Sequence, residues 1–129
     1  MSGRRLWIAV FVVTAVHAAV GVADLLLMLW VVPEFGRLFA ELGGTLPVAT
    51  RLVLAVADGA STFWWLLPPL GLVALALDAG LHAWVGRRLG LGACLGLGAL
   101  VTSAQLLAPA LGMLGLYLPM FLLADAVRL

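Results

Sequence analysis

Four ionisable side chains sit in long apolar runs of this chain: His17, Asp24, Asp78 and His82. Ionisable groups at bilayer depth are expensive, and they mark proton relays, ion sites or contacts between helices. With a rise of 1.5 Å per residue, His17 lies about 18 Å along a helix from Arg5, and Asp78 about 13–14 Å from Arg87. The two can therefore meet across neighbouring helices. His82 is four residues from Asp78 and shares its helix face. Asp24 is one heptad from His17, on roughly the same face and nearer the outer surface. One chemistry open to this set is a proton relay or ion site along His17, Asp24 and Asp78. The plainer reading is a few structural polar contacts, each contributing about 1 kcal/mol. The plainer reading is preferred, because the rest of the chain adds little polar lining beyond Thr102, Ser103 and Gln105. The histidines and carboxylates show no metal-ligand spacing along the chain, so no metal site is expected. No nucleophile has a base paired with it in a motif, so no catalytic residue is expected either. The run Gly90-Leu91-Gly92 follows no strand and offers no nucleotide cradle, so no cofactor is expected.

The elements that must position these residues follow from composition. Of 129 residues, 65% are hydrophobic and 10% are charged. Soluble domains carry about a quarter charged residues, so this chain cannot cover a water-facing surface. Mean hydropathy is +1.22. Net charge is +1 and there is no basic run, which argues against nucleic acid as a partner. The lipid bilayer is the partner that composition demands. Cys94 is the only cysteine, which rules out an intrachain disulfide; it reads as a small packing residue.

A bilayer core needs roughly 20 apolar residues in a helix. The first such run is Leu6 to Val32, stopped by Pro33, and the second is about Ser61 to Val85. The uncharged stretch from Leu89 to Ala124 would be about 54 Å long as one helix, too long for one crossing. Ser103, Gln105 and Pro109 mark a turn near Leu107 to Pro109, which makes a hairpin of two spans with Pro119 as a kink in the last. The expected fold is an all-α membrane protein of four transmembrane helices. It forms one membrane domain over residues 1–129, with spans of about 6–32, 61–85, 89–107 and 110–127. With four crossings, Arg4, Arg5, Arg87, Arg88 and Arg128 share one side, and Arg37 and Arg51 take the other. The positive-inside rule then places both termini in the cytoplasm. Trp7, Trp30, Trp64, Trp65 and Trp84 lie near span ends, as aromatic belts do. A cleaved leader is the rival reading of the N-terminus. Its apolar core would be far longer than the 7–15 residues such leaders use.

Residues 33–60 form the expected external segment. Phe35, Leu38, Phe39 and Leu42 follow i, i+3, i+4, i+7 spacing, with Glu34, Arg37 and Glu41 opposite. Gly43-Gly44 ends this amphipathic helix. Pro47 opens a second helix carrying Val48, Leu52, Val53 and Val56, with Arg51 and Asp58 as its polar positions. Together they make a helical hairpin, lying in the headgroup region or offering a docking surface. Further on, Gly92, Gly96, Ala99 and Ser103 form a small-residue stripe that would let another helix approach closely, in this subunit or another.

The stretch Val31-Val32-Pro33-Glu34-Phe35-Gly36-Arg37-Leu38-Phe39, then Gly43-Gly44-Thr45-Leu46-Pro47-Val48-Ala49-Thr50-Arg51, then Phe63-Trp64-Trp65, is more specific. It resembles the inner-membrane platform proteins of type II secretion systems and type IV pili, the F-domain family, over about residues 7–86. Pro33, Phe35, Phe39, Gly43, Leu46, Pro47, Thr50 and Arg51 carry the likeness. The family's cytoplasmic helical domains have no counterpart around these spans. The resemblance implies a non-enzymatic scaffold or accessory component of a bacterial inner (cytoplasmic) membrane. Its implied partners are copies of itself or other secretion and pilus membrane components. A small proton- or ion-conducting transporter using the intramembrane His and Asp residues is the alternative.

Overall fold

The structure is a computed structural model that describes residues 3–42 and 46–127. Every regular element among them is helical: α1 (Gly3–Leu26), a π-helical turn (Leu27–Val31), α2 (Val32–Leu42), α3 (Val48–Thr62), a 3-10 turn (Trp64–Leu66), α4 (Leu67–Leu89) and α5 (Leu91–Val127). Three helical runs are long and apolar enough to cross a membrane: Gly3–Glu41, Trp64–Leu89 and Leu91–Tyr117. Large apolar side chains such as Phe11, Leu72 and Leu100 face outward along them. In water such a surface would be a liability, whereas in lipid it is the solvated face.

Two expected breaks are corrected. Pro33 does not stop the first helix. The chain widens into the π turn at Leu27–Val31, where the Val32 N–H reaches the Leu27 carbonyl, and Pro33 then falls in the first turn of α2. There a missing N–H costs little. Nor does the chain turn at Leu107–Pro109, since α5 continues through as one helix of 37 residues. Continuing past Pro109 forfeits one backbone hydrogen bond, whereas a turn would strand several N–H and C=O groups. In lipid each stranded group costs several kcal/mol. The polar residues that pointed to a turn are absorbed locally. Thr102 and Ser103 donate to the carbonyls of Gly98 and Ala99, one turn back, at 2.9 and 2.8 Å. The expected spans 89–107 and 110–127 are therefore parts of one element.

A real turn does form at Gly90, whose φ of 94° belongs to the region glycine tolerates best. Its N–H caps the end of α4 on the Gly86 carbonyl, and its own carbonyl accepts from Cys94 N–H in α5.

The described residues fall into two compact units, each with its own core. One comprises Met1–Ala23 with Trp65–Leu106, and the other Asp24–Trp64 with Leu107–Leu129. In the first, Leu6, Val10, Ala83 and Cys94 are buried together. Cys94 is fully enclosed, the packing role its surroundings predicted.

In the second unit, Val32, Phe35, Phe39, Ala57 and Leu116 form the buried cluster, with Val53 and Leu54 packed against it. The ring of Phe35 meets Tyr117 edge-on at 5.1 Å. Helices form over residues 33–60 where spacing put them, although α2 continues the first long apolar run rather than standing apart from it, and their inner faces are rotated from expectation. Leu38 is exposed, and Val32 takes the inner position one turn before Phe35 and Phe39. On α3 the inner residues are Thr50, Val53, Leu54 and Ala57, while Val48, Leu52 and Val56 face outward. The reason is the small size of Thr50 and Ala57, which lets α2 and α5 residues close over them. Pro47 is the N-cap of α3 rather than part of its first turn. Gly43 and Gly44, expected to end α2, lie outside the described residues.

Candidate functional site

The polar residues of the first unit converge. His17 comes from α1, Asp78 and His82 from α4, and Gly98 and Gln105 from α5. His17 and His82 are buried, and the Asp78 side chain is 17% exposed, so the cluster reaches the protein surface at its carboxylate. The His17 Nδ1 lies 3.0 Å from Asp78 Oδ1. Its Nε2 lies 3.1 Å from the Gly98 carbonyl. Thr14 Oγ1 donates to the other carboxylate oxygen of Asp78 at 3.1 Å. The His82 Nδ1 is 2.9 Å from the Asp78 backbone carbonyl and 3.3 Å from its Oδ1. The two imidazole rings stand 5.3 Å apart. Gln105 Nε2 reaches the His17 backbone carbonyl at 3.5 Å, the long limit for such a bond.

This geometry fixes where protons sit. A backbone carbonyl only accepts, so His17 Nε2 carries a hydrogen. Nδ1 of a neutral ring would then be an acceptor facing a carboxylate oxygen, and two acceptors cannot bond. A further proton therefore lies between His17 Nδ1 and Asp78 Oδ1, held by the imidazolium or by the carboxylic acid. Either way the pair is neutral overall, the less costly state for buried groups. By the same logic His82 Nδ1 carries the hydrogen and Nε2 keeps a lone pair. That Nε2 is buried and has no hydrogen-bond partner among the described residues.

The expectation that His17 and Asp78 meet across two helices matches their contact in the structure. Asp24 belongs to the other unit and makes no hydrogen bond among the described residues. His82 joins through the i, i+4 spacing that put it on the Asp78 face. Thr14 and the Gly98 carbonyl were missed. A hydroxyl one turn before His17 was the available sign of the first, and a backbone carbonyl leaves no trace in composition.

The small-residue stripe takes no helix of this chain among the described residues. Gly92, Gly96, Ala99 and Ser103 are all exposed, and a Cβ on Gly92 or Gly96 would meet nothing within 4 Å. Within the chain, close approach is permitted by Gly86, which faces Leu6 and Cys94, and by Gly98, where a Cβ would stand 2.7 Å from Val13 Cγ1 on α1. Gly98 and Cys94 share a face about 150° around the helix from the expected one, close to its opposite side. On that face the Gly98 carbonyl accepts from His17, and the absent side chain leaves room for Val13.

In the second unit the residues of the secretion-like pattern divide by burial. Phe35, Phe39 and Thr50 are buried, Pro33 and Leu46 are half-buried, and Pro47 and Arg51 are exposed. Gly43 lies outside the described residues. Thr50 has a specific task. Its hydroxyl donates to the Gly115 carbonyl at 2.8 Å. The residue four positions after Gly115 is Pro119, which has no N–H to give that carbonyl. Outside the core, Arg37 pairs with Glu34 at 2.9 Å on the open face of α2. No family model, curated protein or solved structure matches this chain.

Proposed function

We propose that the chain is a non-enzymatic scaffold of a bacterial inner membrane, resembling the transmembrane part of secretion and pilus platform proteins. One observation carries this reading: the residues of the secretion-like pattern are those that build the second unit. Val32, Phe35, Phe39 and Thr50 fill its core, while Arg37, Arg51 and Asp58 face outward from α2 and α3. A pattern that specifies a packed shape and a charged outer face, with no reactive group, fits a part that holds other parts. The partners are membrane components of the same machine or further copies of this chain.

The arginines orient it. With three crossings, Arg4, Arg5, Arg87 and Arg88 share the cytoplasmic side, and Arg37 and Arg51 lie opposite. Because α5 does not double back, its end also falls opposite the N-terminus. A reporter fused to the C-terminus, active only outside the cytoplasm, should be active, whereas activity only inside would restore the four-crossing topology.

The scaffold reading is tested by a photo-crosslinking amino acid at Arg37 or Arg51 in native membranes. The expected adduct is a pilin-like or secretion-system membrane protein, or a second copy of the chain. Adducts with lipid alone at both positions would overturn it.

A further inference from the structure

We propose that His17, Asp78 and His82 form a site for one divalent transition-metal ion of the zinc class, pinning α1 to α4. This goes beyond the scaffold reading and does not depend on it. One nitrogen from each histidine and one carboxylate oxygen all lie within 4.8 Å of one another. Donors bound to one tetrahedral ion at about 2.0–2.1 Å stand roughly 3.3 Å apart. The carboxylate oxygen stands 3.0 Å from the His17 nitrogen and 3.3 Å from the nearer His82 nitrogen. Two imidazoles and a carboxylate, with a position left for water, suit zinc or ferrous iron and do not suit calcium or magnesium.

Two further observations point the same way. Metal-binding histidines usually donate their other N–H to a carbonyl or carboxylate, which fixes tautomer and ring orientation. His17 Nε2 does this on Gly98, and Thr14 holds the second oxygen of Asp78 in the matching role. His82 Nε2 is fully buried with an unmatched lone pair. A native protein rarely leaves such an atom without a partner, and an ion supplies one. The 3.3 Å separation is that of Nδ1, whose coordination would exchange its bond to the Asp78 backbone carbonyl for the ion, whereas coordination through the unmatched Nε2 requires the ring to turn. Coordination at His17 Nδ1 releases the proton it shares with Asp78. The site then holds a 2+ ion with one carboxylate charge. Its partly exposed Asp78 edge gives water a place to complete the shell.

The ion has a structural use here. Apolar helices gain little from each other in lipid, because the tails are as apolar as leucine. A bond from α1 to α4 through a metal replaces that missing drive.

The test uses the full chain, purified in detergent and stripped with a chelator. Zinc titrated by calorimetry should bind once per chain, and cobalt should give ligand-field absorption of nitrogen and oxygen coordination. The His82→Gln and Asp78→Asn variants should weaken zinc binding more than 100-fold while keeping helical circular dichroism. Thr14→Val removes only the hydroxyl on Asp78 and should weaken binding by about tenfold. If a variant does not fold, the wild-type stoichiometry and cobalt spectrum decide alone. Absence of one-to-one uptake by folded wild type, or equal uptake by folded His82→Gln, would overturn the proposal and leave a proton-sharing histidine–aspartate pair.

Discussion

The two units of this chain solve the same problem by opposite means. In the one built from α1, α4 and the start of α5, helices come close because glycine makes room, and buried polar groups hold them there. Gly98 admits Val13, and its carbonyl receives His17. In the other, built around α2 and α3, bulk does the work: Val32, Phe35, Phe39 and Leu116 fill the space, and Thr50 contributes the one polar contact to that core. The difference teaches what each unit can tolerate. A unit held by bulk fails when a side chain is shortened. A unit held by closeness fails when one is lengthened.

The largest effect should therefore come from Phe39→Ala. Phe39 is 3% exposed, and truncation leaves a cavity among Val32, Phe35 and Ala57. A loss of about 3 kcal/mol is expected, measured by denaturant unfolding in micelles. A loss under about 1 kcal/mol would mean the α2–α3 unit collapses over the gap and is not held by bulk.

Next in size, and opposite in chemistry, is the addition of a single methyl group. Gly98→Ala places a Cβ 2.7 Å from Val13 Cγ1 and 3.1 Å from Cγ2. Val13 is β-branched and cannot swing away, so the backbones must part. A destabilisation of about 2 kcal/mol follows. Gly96→Ala, two residues earlier on the same helix, meets nothing within 4 Å. It should be neutral or stabilising by up to about 1 kcal/mol, since alanine is the better helix former. Equal effects at the two positions would show that the unit is not held by the Gly98 approach.

Sequence patterning reached some of this and missed the rest for definite reasons. Apolar runs and arginines located the long helices, and i, i+4 spacing put His82 beside Asp78. Rise per residue put His17 and Asp78 at depths where they meet. The direction each face points was not legible. Leu38 and Leu52 are as apolar as Phe39 and Val53, and only packing decides which turn inward. Proline misled twice. Pro33 and Pro109 are helix breakers in water, but in an apolar setting the alternatives to continuing cost more backbone hydrogen bonds. The histidine–aspartate cluster was only partly legible in spacing: Asp78 and His82 share α4, but His17 comes from α1.

The smallest effect isolates the polar contact in the core of the unit built on bulk. Thr50→Val keeps the shape and removes the hydroxyl that satisfies the Gly115 carbonyl. That carbonyl has no helical donor, because position 119 is proline. Left without a partner it should cost about 1–2 kcal/mol. If the proline is the reason, Pro119→Ala restores the N–H, and Thr50→Val on that background should cost little. The cycle should then show a coupling of about 1 kcal/mol between residues 50 and 119. Additive effects would mean that Thr50 matters for packing alone. The second unit would then be held by bulk throughout, with no polar lock of the kind that marks the first.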